Sequence, residues 1–161
     1  MKKNIFLLIV FALILNACEK DDICLADTTT PKLILRFYDA SNPNTLKSVQ
    51  NLSVWAEGKD TLTTYKSTSA DSIAIPLNVN TNQTVYHFKQ NAVDGNLANN
   101  QYNTITINYN TEEIYISRSC GFITNFNTVN FSSNNGWIQS FTPISLTTID
   151  NENEAHVKIF H

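Results

Sequence analysis

Lys32-Leu33-Ile34-Leu35-Arg36-Phe37-Tyr38-Asp39 sets Leu33, Leu35 and Phe37 on one face and Ile34, Arg36 and Tyr38 on the other. A period of two in a run rich in branched and aromatic residues is the mark of a half-buried β-strand. The same signal recurs down the chain. Val49–Ala56 alternates Leu52, Val54 and Ala56 against Ser53 and Trp55, and Glu57-Gly58-Lys59-Asp60 turns it into residues 61–66. Residues 71–77 point Ile73, Ile75 and Leu77 one way, with Pro76 marking a sheet edge or strand end. Residues 84–90 set Tyr86 and Phe88 against Val85 and His87, and residues 102–109 set Ile105, Ile107 and Tyr109 against Thr104 and Thr106. Residues 113–120 and 122–131 read as successive strands about a bend or bulge at Gly121. Runs at 137–141, 144–149 and 155–160 follow the turn cluster at 132–136. Asn42-Pro43-Asn44 reads as a turn and residues 91–101 as a polar loop.

About ten strands with no helical signal between them lack the crossovers that a parallel sheet needs. The expected fold is all-β: an antiparallel two-sheet sandwich, immunoglobulin-like or Greek-key, with a small closed barrel as the second choice.

The N-terminus carries an address. Lys2 and Lys3 precede an apolar run over residues 5–15, too short to span a bilayer, and Cys18 falls at the cleavage point of a secretory signal. Leu15-Asn16-Ala17-Cys18 resembles the lipobox of bacterial lipoproteins, which implies acylation of Cys18; Asn16 departs from the usual small or apolar residue at that tolerant position. Three acyl chains would hold the protein firmly on a membrane without crossing it. The expected layout is a signal peptide over 1–17, a lipidated Cys and short tether over 18–31, and one β-sandwich domain over 32–161. Glu19-Lys20-Asp21-Asp22 resembles the acidic export signal of surface lipoproteins in the Bacteroidota, which favours the cell-surface side of the outer membrane over the periplasmic side; a solvated acidic linker is the alternative.

Once Cys18 is acylated, Cys24 and Cys120 remain, and in an oxidising compartment two cysteines most simply form one disulfide. The formal net charge is −3, and no Lys/Arg cluster occurs outside the first residues, so nucleic acid is a poor partner.

Cys18-Glu-Lys-Asp-Asp-Ile-Cys24, residues 32–39, residues 71–77, Ser117-Arg-Ser-Cys-Gly-Phe122 and Glu152-Asn-Glu-Ala-His-Val-Lys-Ile159 together resemble an uncharacterised lipoprotein family of the Bacteroidota. The resemblance implies an envelope location and a single β-domain. It implies no activity.

No catalytic set is legible. Four glycines leave no phosphate-cradling loop, and no serine lies in a nucleophile elbow. Cys120 near Arg118, with His87 or His156 as base, competes with the disulfide. His156 and His161 face opposite sides of a regular strand, so they cannot share a metal. Asp150, Glu152 and Glu154 offer hard oxygens but lack calcium-loop spacing. No metal or other cofactor is expected. Arg118 shares a face with Ile116 and Cys120; inward it would need a carboxylate such as Asp71 or Glu154, and the alternatives are that Tyr115, Ser117 and Ser119 face in or that the disulfide sits at the sheet rim.

Two further features point outward. Trp55 and Trp137, helped by Tyr38, Tyr65 or Tyr115, are candidates for a glycan-stacking platform, against the bland reading of core packing. Asp-Thr/Ser triplets at Thr28, Thr61 and Ser72 resemble a bacterial O-glycosylation motif, Thr28 in a Thr-rich linker being the most accessible. The expected function is therefore a non-enzymatic binding or scaffolding module, anchored to the membrane by its N-terminal lipid and touching an outer-membrane protein. Surface glycan capture is the alternative, and a carbohydrate-active hydrolase is the rival from another class. The sequence leaves the oligomeric state open.

Overall fold

Leu33, Leu35 and Phe37 are fully or almost fully buried, as their shared parity requires, and they line one wall of a two-sheet sandwich. The structure, a computed structural model, describes Cys24, residues 29–90 and residues 97–161. The expected signal peptide, Cys18 and Thr28 lie outside the described residues.

Among the described residues eleven strands follow in order: β1 (Leu33–Asp39), β2 (Asn42–Leu46), β3 (Val49–Ala56), β4 (Thr68–Ala70), β5 (Ser72–Ile75), β6 (Gln83–Gln90), β7 (Gln101–Ser117), β8 (Gly121–Ser133), β9 (Ser140–Thr142), β10 (Ser145–Ile149) and β11 (Val157–Phe160). One sheet runs β2-β1-β11-β9, with β5 also paired to β1; the other runs β10-β8-β7-β6-β3-β4. The chain divides into two compact units, one of Thr30–Ile114 with Thr124–His161 and one of Met1–Thr29 with Tyr115–Ile123. The larger unit holds the hydrophobic core. Leu33, Leu35, Phe37, Ile73, Ile75, Val157 and Ile159 come from the first sheet, and Leu52, Val54, Tyr86, Phe88, Ile105, Ile107, Phe126 and Ile149 from the second.

Two backbone irregularities explain where the period of two breaks. Asn51 has φ 48° and Thr128 has φ 53°, in the left-handed region. Regular alternation would put residues three apart on opposite faces, yet Val49 and Leu52 are both buried, as are Phe126 and Val129. At the first site the pairing with β4 also shifts register between Val49 and Leu52, so the extra residue acts as a bulge that returns the strand to its apolar parity.

Several local expectations change. Asn42-Pro43-Asn44 opens β2, an edge strand exposed along its whole length, where the missing proline N–H costs nothing. Of residues 61–66, expected as a strand, Thr61 makes an isolated bridge to Trp55 and Thr63–Tyr65 forms one turn of 3-10 helix. Residues 102–109 and 113–117 are one continuous strand, β7. Gly121 (φ 72°) follows the turn at residues 118–120 that reverses the chain into β8. Of the run at 137–141, only Ser140 and Phe141 are in a strand, β9.

Most pairings are antiparallel, but β1 and β11 run parallel, with Leu35 opposite Val157 and Phe37 opposite Ile159. A parallel pair needs a long crossover, and here the intervening chain between first and last strand supplies it.

Candidate functional site

The register of β3, β6 and β7 assembles one aromatic surface on the outward face of the larger sheet. Trp55 lies opposite His87, and His87 opposite Thr104; one step along, Ser53 lies opposite Lys89, and Lys89 opposite Tyr102. Trp55 stacks on His87 with centroids 5.4 Å apart and planes 28° apart, and it meets Tyr102 edge-on at 6.5 Å. His87 Nδ1 and Thr104 Oγ1 are hydrogen-bonded at 3.0 Å, which fixes the imidazole against the sheet. Trp55 is half-buried and Tyr102 is 56% exposed.

The neighbouring turn builds the wall. Residues 57–60 bring Lys59 and Asp60 alongside Trp55, and the next segment adds Thr61, Lys66 and Ser67. Ser67 N donates to Ser53 Oγ at 3.0 Å, holding that segment on the sheet. The result is an open groove of about 490 Å³ lined by Ser53, Trp55, Lys59, Lys66, Lys89 and Tyr102 among others. Its charge is opposite to that of the chain. Three of the eight lysines and arginines beyond residue 31 line it, against one of the ten carboxylates.

A second open groove of about 570 Å³ lies between residues 56–59 and 76–86. Its floor is held by buried phenols. Tyr109 Oη donates to the Asn78 carbonyl at 2.8 Å, and Tyr86 Oη donates to the Pro76 carbonyl. Burial, with Tyr109 nearby, pushes the Tyr86 phenol up to about 12, so it remains a neutral donor. Among the described residues no aromatic side chain besides buried Tyr86 lines this groove.

The other residues singled out from sequence are dispersed. Trp137 is not on the surface with Trp55. It is buried, 6.2 Å from the Phe37 ring and 5.4 Å from the His161 ring, so a joint platform of the two tryptophans is not formed. Thr61 is the exception, bridging Trp55 in the wall of the groove, whereas Ser72 is the first residue of β5; both are partly buried in paired backbone. Tyr65 Oη accepts from Ala74 N at 2.8 Å, and Tyr38 packs on Phe160. Neither joins the groove. Glu152 Oε1 accepts from Lys32 N at 2.9 Å, and among the described residues no three His, Cys, Asp or Glu side chains converge as metal ligands. His156 Nδ1 accepts from Ile34 N at 2.9 Å while its Nε2 is 3.0 Å from the Asn151 carbonyl; burial holds its pKa below the ordinary value.

In the smaller unit, Cys24 and Cys120 are disulfide-bonded, with Cα atoms 4.9 Å apart. Cys120 therefore offers no thiolate. Arg118 is exposed in the turn at residues 118–120, so its charge is not buried, and Tyr115 and Ser119 are exposed as well. Cys120 N donates to Ser117 Oγ at 3.0 Å, and Tyr115 and Phe122 meet edge-to-face at 5.2 Å.

His87, Tyr102 and the three lysines were not legible as a group, because only the pairing of strands far apart in sequence brings them together. The usable signals were the outward parities of Trp55 and of His87, each read on its own strand. No curated protein and no solved structure matches the chain. A family model does match over residues 51–161, well over half of the chain and including the whole aromatic groove: the protein belongs to DUF6452, a family of unknown function.

Proposed function

We propose that the protein is a lipid-anchored, non-enzymatic binding module of the outer membrane in the Bacteroidota, and that it captures saccharides bearing negative charge. The observation that carries this reading is the groove around Trp55. A half-buried indole beside an exposed phenol offers apolar ring faces to the C–H face of a sugar. Lys59, Lys66 and Lys89 then select carboxylate or sulfate groups, and Ser, Thr and Asp60 supply hydrogen-bond partners for hydroxyls. Acylation at Cys18, with cell-surface exposure through the acidic run after it, puts such a groove where glycans are met. The test is binding of polygalacturonate, chondroitin sulfate and neutral dextran to the full-length lipoprotein. The acidic chains should bind at least tenfold tighter than dextran, and the Trp55→Ala, Tyr102→Ala double variant should lose that binding. Equal affinity for dextran, or acidic binding unchanged in the double variant, would overturn the proposal.

A second reading, scaffolding against an outer-membrane protein, draws support from the short tether. Only Glu19 to Ile23 separate Cys18 from Cys24, and five extended residues reach at most about 17–18 Å.

A further inference from the structure

The exposed aromatic pair Tyr115–Phe122 belongs to neither groove. Tyr115 is 56% exposed and Phe122 64% exposed, and their rings pack on each other at 5.2 Å instead of on the core. A large apolar side chain left mostly in water costs free energy unless something covers it, and two adjacent ones make a patch. Between them in the sequence lie Arg118, exposed at the turn, and the hydroxyls of Ser117 and Ser119, 3.3 Å apart. Exposed aromatic rings in a segment that also carries a basic residue and hydroxyls have the composition of the Tyr- and Trp-rich belts at a bilayer's headgroup boundary.

The same turn is tied to the chain's lipid. Cys120, two residues before Phe122, is bonded to Cys24, and Cys24 follows Cys18 by six positions. On the reading that Cys18 is acylated, this turn is separated from the lipidated residue by at most the reach of five residues, about 17–18 Å, and the 4.9 Å between the Cα atoms of the bridge. At that range the local concentration of headgroups is set by the tether and not by the bulk. We infer that Tyr115 and Phe122 insert into the headgroup region of the lipid bilayer, giving the protein a second, noncovalent membrane contact beside its acyl chains. The occupant of the patch is lipid. The acidic residues Glu19, Asp21 and Asp22 in the tether oppose a charge-driven contact with anionic headgroups, so the insertion is of apolar origin and needs no anionic lipid.

This inference rests on the lipid anchor but not on the saccharide groove. The full-length lipoprotein is reconstituted into protein-free phosphatidylcholine vesicles, and the acyl chains on its N-terminal peptide are verified by mass spectrometry. Phe122→Trp adds emission above that of Trp55 and Trp137 in the parent, and Tyr115→Trp does so at the second position. Lipids brominated near the carboxyl end of the acyl chain should quench at least half of the added emission, while aqueous iodide should quench it less than in detergent-free soluble controls of free tryptophan. If the protein carries its acyl chains and neither added tryptophan is quenched by brominated lipid, the insertion is overturned and the anchor stands. If no acyl chain is found, the anchor and the insertion fall together. Shielding of the added tryptophans in native outer-membrane fragments alone, and not in vesicles, would assign the pair to a protein partner and also overturn the inference.

Discussion

Gly136 lies directly against the buried amide of Asn103: a β-carbon at Gly136 would fall on Asn103 Oδ1 and on the Tyr102 carbonyl. Neither group can yield. Asn103 Oδ1 accepts from Ile138 N at 3.1 Å, and its Nδ2 donates to Ser133 Oγ and to Asn134 Oδ1 at 2.6 and 3.1 Å. One side chain thus satisfies the backbone and side chains of the loop that leaves β8, and the loop leaves no room for a methyl group.

Gly136→Ala should therefore destabilise the fold by about 1–3 kcal/mol, the range for overpacking. Asn103→Ala should cost about 2–4 kcal/mol, because it strands the Ile138 N–H without its partner and opens a polar void. Urea unfolding midpoints at unchanged slope would check both. A Gly136→Ala variant as stable as the parent would show that the loop can leave the strand freely.

The two tryptophans should separate by stability. Trp137→Ala removes a buried ring packed on Phe37 and should cost about 3–5 kcal/mol. Trp55→Ala removes a half-buried ring from the outer face and should cost no more than about 2 kcal/mol. Thermal or urea denaturation of the pair decides it, and reversed costs would contradict the burial of the two rings.

Breaking the disulfide should cost the same from either side. The bridge closes a separation of 96 residues, which the chain-entropy model values at about 4–5 kcal/mol. Cys24→Ser, Cys120→Ser and the double variant should all fall together, since each removes one and the same bond. Additive losses would argue that the thiols act separately.

Stability should fall on acidification through His156 and His161. Burial lowers the pKa of each, so the folded state prefers neutral imidazole, although Glu152 and Asp150 partly offset this at His156. A lowered folded pKa gives stability that is complete above the unfolded value, about 6.5, and is lost as pH falls from there through the folded value. Unfolding midpoints should drop between pH 7.5 and 5.5, and His156→Gln should flatten part of that drop. A profile unchanged in His156→Gln would remove His156 from the account.

Lengthening the tether separates the two readings of function. About twenty flexible residues inserted after Asp22 add roughly 25 Å of r.m.s. reach. Crosslinking to a membrane-embedded partner should weaken, whereas saccharide capture should be unchanged or improved. Cys18→Ala should abolish fatty-acid labelling; label retained in that variant would refute the anchor.

Much of the fold was legible because half-buried strands write their parity into sequence. Residues 32–39, 49–56 and 84–90 each carry an inward row that the structure buries. Where burial does not alternate, the pattern fails. β2 is exposed at every position and had no apolar row to read. Asn51 and Thr128 shift parity through backbone conformation, which composition does not record. Trp137 sits between a turn and a three-residue strand, so no neighbouring alternation assigned it a face. The groove was half legible: Trp55 pointed outward by parity, but its partners come from β6 and β7 by register, a nonlocal property.

The parallel pairing of β1 with β11 also orders events in time. A ribosome delivers Leu35 and Phe37 more than a hundred residues before Val157 and Ile159, their partners across the sheet. Until Val157–Phe160 emerges, β9 has no neighbour and one edge of β1 stays open beside a row of large apolar side chains. Exposed edges of this kind recruit other chains, so the edge of β1 is open to foreign strands until β11 covers it. A chain cut short before residue 157 would keep most of its core residues and lack the strand that joins β1 to β9.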